Sequence, residues 1–139
     1  MEQNVQIVRG IFEASSKMDK EAIIASLDDM VPLIFTEDVE FVETPERVDA
    51  RTFRGHGGVK EAFTRWLEQW NEYSAELEQA EARGKTVLAI VTEQASGEGS
   101  GAPVTSRLYI VFEFRDGRIS RYRETYDEDA ARAMLEDGS

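Results

Sequence analysis

The stretch "FEFRDGRISRYRET", Phe112 to Thr125, reads as two β-strands around one tight turn, and the direction of Glu124 follows from how that turn is built. "RDG" permits a two-residue turn, or a three-residue loop with Gly117 in the left-handed conformation forming a bulge. With two residues, Phe112 and Phe114 share a face with Ile119, Arg121 and Arg123. With three, they share it with Ser120, Tyr122, Glu124 and Tyr126. A one-residue slip moves every side chain to the other face, and arginines among phenylalanines cost several kcal/mol. The three-residue loop segregates charge better, so it is the one expected. Leu108, Ile110, Phe112, Phe114 and Tyr122 then surround a single inward carboxylate, that of Glu124. Desolvation raises the pKa of such a group toward the range that suits a general acid or base. The alternative is a structural carboxylate satisfied by an arginine or a tyrosine hydroxyl.

Upstream of this hairpin the pattern has period two. "SAELEQAEA", "KTVLAIVTEQAS", "PVTSRLYIVFEF" and "RISRYRETY" are four consecutive strand candidates, divided by Gly84-Lys85, a loop at "SGEGSGAP" and Asp116-Gly117. The first third is helical. Val5, Val8, Ile11 and Phe12 recur at helical spacing, and Asp19 caps a second helix that Pro32 interrupts. "EDVEFVET" and the segment before "RGHGG" give short strands, with a glycine-rich turn at the latter. A third helix from Val59 to Trp70 carries the stripe Val59, Phe63, Trp66, Leu67, Trp70. Of the two tryptophans, one is expected in the core and one on a cavity. Asp127 caps a terminal helix, and the final "EDGS" is expected to fray. Helices followed by an antiparallel meander make an α+β fold, with the helices on one face of the sheet.

With 139 residues the chain makes one domain, 1–139, with one sizeable core. A net charge of −12 sets it against nucleic acid and anionic membrane surfaces. Cysteine is absent, which excludes disulfides, zinc–thiolate sites and a cysteine nucleophile. No apolar run approaches the roughly 20 residues of a membrane-spanning helix, and the first residues lack a signal-peptide pattern, so a cytoplasmic protein is expected. The single histidine, His56, is assigned to turn geometry or capping. With so few ligating side chains, no metal is expected. "RGHGG" lacks the spacing and lysine of a phosphate loop.

The order of helix pair, short strand, "FRGHGGVKEAFTRWLEQW" and four long strands ending in "FRDGRISRYRETYD" resembles the SnoaL-like branch of the nuclear transport factor 2-like superfamily, from about Asn4 to Leu135. That resemblance implies a cone-shaped curved antiparallel sheet wrapped around the long third helix, a pocket between them, and a homodimer. In polyketide cyclases of this type the base is an acidic residue of the last strand, which falls on Glu124. Their histidine falls near Ile110, and the isomerase-type tyrosine has only Phe12 as its nearest aromatic. The isomerase-type base falls near Glu43 or Thr44. An epoxide hydrolase of this fold needs an Asp–Arg–Asp set, for which Arg107, Arg123 and Glu124 are the candidates. Two functions are therefore expected. One is a cofactor-free isomerase, cyclase or hydrolase acting on a small apolar molecule. In it Glu124 moves a proton, Tyr122 or Tyr126 stabilises the oxyanion, and Phe12, Phe63, Trp66, Ile110, Phe112 and Tyr126 wall the pocket. The other is a non-catalytic ligand-binding or dimerisation module with a structural Glu124.

Overall fold

The computed structural model describes residues 2–47, 50–97 and 103–137. Its elements are α1 (Glu2–Ser15), α2 (Lys20–Ile34), β1 (Phe35–Val42), β2 (Thr52–Arg54), α3 (Gly55–Glu68), β3 (Trp70–Arg83), β4 (Thr86–Gly97), β5 (Pro103–Arg115), β6 (Arg118–Thr125) and α4 (Glu128–Asp137). The class is α+β. The strands form one curved, unclosed sheet in the order β2-β1-β6-β5-β4-β3. The glycine-rich loop between β4 and β5 and the last two residues fall outside the described segments.

The hairpin reaches the expected face by a different route. Arg115 pairs with Arg118 around a two-residue turn in which Asp116 (φ 54°) and Gly117 (φ 82°) are both left-handed. This is the turn whose twist matches that of its strands, and an Asp-Gly pair is suited to it. Phe114 then pairs with Ile119, while Glu113 pairs with Arg121, so Ser120 is an extra residue in β6. The bulge supplies the one-residue slip that the loop does not. Beyond it Phe112 faces Tyr122 and Ile110 faces Glu124. Ile119, expected outward, is buried in the main core with Phe114.

Three other sequence expectations change. The sheet is mixed, because β6 lies parallel to β1. The chain leaves β1–β2 through α3 to the far edge and meanders back, so its last strand arrives beside its first. Pro32 does not interrupt α2, which continues to Ile34. It stands in the final turn, where the lost ladder bond is to exposed Asp28. "GHGG" is the first turn of α3 rather than a separate turn, and Trp70 opens β3. Gly58 permits a close approach there, since a Cβ would stand 3.1 Å from the Phe53 Cβ and 3.2 Å from its carbonyl carbon. His56 has Nε2 2.9 Å from the Phe35 carbonyl oxygen, tying the start of α3 to the start of β1.

The main core lies between α1–α3 and the inner sheet face, with Val8, Val31, Val59, Val91, Leu108 and Phe112 fully or nearly fully buried. The strands are also apolar outward at Leu88, Ile90, Tyr109 and Val111, and α4 covers these with Ala131 and Leu135. One helix thus packs on the second face. Asp127 caps α4 as expected, accepting from the Asp129 and Ala130 amides at 2.9 and 3.3 Å. Among the described residues, no helix is long and apolar enough to cross a membrane.

Candidate functional site

The site starts from the alternation of β4. Val87, Ala89 and Val91 point inward, and the same period carries Glu93 and Ala95 to that face. Glu93 is 4% exposed and Glu124, two strands away on β6, is 7% exposed. Arg47, from the loop joining β1 to β2, links the two through Tyr126. Arg47 donates from Nη1 to Glu124 Oε1 at 2.7 Å and from Nη2 to the Tyr126 hydroxyl at 3.3 Å. Tyr126 donates to Glu93 Oε1 at 3.2 Å, and Tyr73 donates to Glu93 Oε2 at 2.5 Å. Tyr122 donates to Glu124 Oε2 at 3.2 Å. Two carboxylates, one guanidinium and three phenols form one hydrogen-bonded chain.

The Arg47 loop is anchored by Glu46. Its carboxylate accepts from the Tyr126 amide (2.9 Å), the Thr125 hydroxyl (3.2 Å) and the Thr44 hydroxyl (2.8 Å). Burial opposes its charge, yet these bonds together hold its carboxyl below the usual carboxylate range. So clamped, the loop lays the guanidinium over Trp66, with Cζ 3.8 Å from the ring centroid.

Burial dominates at Glu124. Against the attraction of Arg47, it pushes the carboxyl up to about 7, and Glu93 adds to the rise. For Arg47 itself burial works against the charge, but Glu124, Tyr126 and Glu93 more than offset it, and the guanidinium stays protonated. Desolvation also raises the Tyr122 and Tyr73 hydroxyls well above their ordinary value.

A stability consequence follows. The folded pKa of Glu124 lies above its unfolded value, so between about pH 4.5 and 7 the folded chain binds more protons than the unfolded one. The stabilisation from this group is fully present below that window and falls by about 3 kcal/mol as pH rises through it. Chemical denaturation of the wild type and Glu124→Gln across pH 4.5 to 8 is expected to show the difference moving toward the variant by that amount. Parallel curves would contradict it.

A cavity of about 170 Å³ opens beside the chain of hydrogen bonds, walled by Arg47, Trp66, Trp70, Tyr73, Glu93 and Tyr126. Ala95, Val104 and Ser106 complete it. Of the residues singled out from sequence, Trp66 and Tyr126 stand on this wall. Both tryptophans line it, rather than one lining it and one sitting in the core. Phe12, Phe63, Ile110 and Phe112 are not among its lining residues and belong to or pack on the main core. There Phe63 and Phe112 meet Tyr122 edge-on. Glu124 and Tyr122 lie one layer deeper, with Arg47 between Glu124 and the cavity. Glu43 instead secures its own loop, accepting from the Arg51 amide at 3.3 Å. Arg107 pairs with Glu78 at 3.4 Å and Arg123 with Glu113 at 3.0 Å, so neither completes an acid–arginine–acid set with Glu124. Among the described residues, no group of three or more His, Asp or Glu side chains could hold a metal.

Sequence reasoning missed Arg47, Glu93 and Tyr73. The period-two run Val87–Ala89–Val91 was the available signal for Glu93. Arg47 has none, because an irregular loop imposes no period.

The curved sheet wrapped around α3 is the nuclear transport factor 2-like fold. Within it the chain belongs to the SnoaL-like domain family, whose model matches residues 8–122. Among solved structures it is similar to a nuclear transport factor 2-like protein of unknown function from Burkholderia pseudomallei (TM-score 0.73, 19% identity, 97% of this chain and 98% of that one). It is also similar to a candidate SnoaL-like polyketide cyclase from Jannaschia sp. CCS1 (TM-score 0.71, 14% identity, 96% and 90%). A third is an epoxide hydrolase of M. tuberculosis (TM-score 0.63, 20% identity, 98% and 91%). At these identities the likeness is one of fold. No curated protein sequence matches the chain.

Proposed function

We propose that the cavity is the active site of a cofactor-independent acid–base enzyme acting on a small carbonyl compound, with Glu93 rather than Glu124 as the group that meets the substrate. The supporting observation is the position of Glu93 on the cavity wall, in the same hydrogen-bonded chain as Arg47. Each Glu93 oxygen accepts one phenol and keeps a free lone pair for a proton. In an isomerisation, Glu93 takes a proton from the carbon next to the carbonyl. The C–H electrons move into an enolate, whose oxygen is stabilised by the Arg47 guanidinium. The proton then returns to a different carbon, with no net oxidation or reduction. Glu124 holds Arg47 in place as a positioning residue.

Hydrolysis is the second reading, favoured by the link from Glu124 through Arg47 and Tyr126 to Glu93. Epoxide hydrolases of this fold use an acid–arginine–acid set, and here Tyr126 links the arginine to the second acid. A panel of small β,γ-unsaturated ketones and small epoxides, run without added cofactor, tests both. Glu93→Gln is expected to lower turnover about a hundredfold, the lower end of what a general base contributes. Turnover unchanged in Glu93→Gln would remove Glu93 from the chemistry. Binding without turnover across the panel would point to a ligand-binding module.

A further inference from the structure

The wall of the cavity is more aromatic than proton transfer requires. Trp66 meets Trp70 edge-on at 5.3 Å and Tyr73 edge-on at 5.9 Å between ring centroids, and Tyr126 closes another side. The carboxylate of Glu93 stands in the same wall, its two oxygens fixed by two phenols. Ring faces carry negative potential, and several around one carboxylate make the kind of box that takes organic cations. One cation is already held in this way. The Arg47 guanidinium lies 3.8 Å from the Trp66 centroid and 5.8 Å from that of Tyr126. Its direct ion-pair partner is Glu124, at 2.7 Å, while the direct hydrogen-bond partners of Glu93 are the two phenols. The space of about 170 Å³ is close to the ~150 Å³ of an apolar cavity that admits benzene, so a headgroup of a few heavy atoms fits.

We propose that this cavity binds a small alkylammonium group, seated among Trp66, Trp70, Tyr73 and Tyr126 with Glu93 as its counter-ion. The proposal deepens the functional reading above and rests on its claim that the cavity is the ligand site. Among the described lining residues the one cation is Arg47, which pairs with Glu124. Lys20 is engaged elsewhere, its Nζ donating to the Trp70 carbonyl at 2.6 Å.

The test compares choline with 3,3-dimethylbutan-1-ol, its neutral isostere, on the full chain by calorimetry and proton NMR. Choline is expected to bind at least tenfold more tightly, with its methyl resonance shifted upfield by the rings. Glu93→Gln is expected to weaken choline about tenfold and leave the alcohol unchanged. Trp70→Phe, which keeps an aromatic wall and the fold, is expected to weaken choline less than Glu93→Gln does. Equal binding of the two compounds, or choline binding indifferent to Glu93→Gln, overturns the cation site while leaving the cavity as a ligand site. Binding of neither overturns it as well. The ketone and epoxide panel then decides separately whether the cavity has any ligand.

Discussion

Arg47→Met is expected to lower the unfolding free energy by about 3 kcal/mol at pH 8 and by about 1 kcal/mol at pH 5. Breaking a buried ion pair from one side leaves the partner charge uncompensated, which is why such losses are large. At pH 8 the wild-type Glu124 is mostly ionised, since its carboxyl titrates near 7, and Arg47 is its counter-ion at 2.7 Å. Methionine fills a similar volume over Trp66 but offers no charge, so Glu124 must take up a proton or stay buried and unpaired. At pH 5 Glu124 is already protonated. The variant then loses a hydrogen bond to a neutral acid and the cation contact with Trp66. Urea denaturation at both pH values measures the difference. The double variant Arg47→Met/Glu124→Gln is expected to recover most of the loss at pH 8, because the Glu124 charge that Arg47 paired is gone as well. Equal losses at the two pH values would mean that Arg47 acts by packing alone.

The second large effect lies beneath the site. Phe41→Ala is expected to destabilise the fold by about 3–5 kcal/mol, the range for truncating a buried phenylalanine. Phe41 is 3% exposed and stacks on Tyr122 at 4.1 Å with 10° between the rings. It also meets Phe63 edge-on at 5.2 Å and Phe53 edge-on at 6.3 Å. Removing it opens a cavity directly under the phenol that donates to Glu124. Phe41→Leu, which keeps most of the volume, is expected to cost far less. Thermal unfolding of both variants separates the cavity effect from a nonspecific one, since a nonspecific effect would make the two losses similar.

The parts of this fold that obey a period were legible from sequence. Strand alternation named the inward face of β5 and β6, and burial of Leu108, Ile110, Phe112, Phe114, Tyr122 and Glu124 follows it. The aromatic stripe of α3 and the cap at Asp127 were legible for the same reason, as local chemistry with local consequences. The hairpin shows where this stops. Charge segregation selected the right face, but it fixes only the sum of slips between the two strands. A bulge at Ser120 and a longer loop give the same parity, so the turn itself was misassigned. The parallel contact of β1 with β6 depends on the path of the whole chain and leaves no mark in either strand alone. The candidate site divides in the same way. Glu124 and Glu93 sit on strands whose alternation points them inward. Arg47 reaches Glu124 across 77 positions of sequence from a loop held by Glu46, and no pattern in "TPER" announces it. The residue that decides what Glu124 can do is therefore the one the sequence conceals.

The most direct measurement is a carboxyl-carbon NMR titration of the glutamates, with Glu124→Gln to assign the key resonance. It needs no ligand. The expected result is a Glu124 midpoint near 7, moving further upward in Arg47→Met, as desolvation opposed by one arginine requires. A midpoint at or below the ordinary carboxylate value of about 4.3, or one that Arg47→Met leaves in place, would contradict the buried chain from Glu124 through Arg47 and Tyr126 to Glu93 on which the proposed site rests.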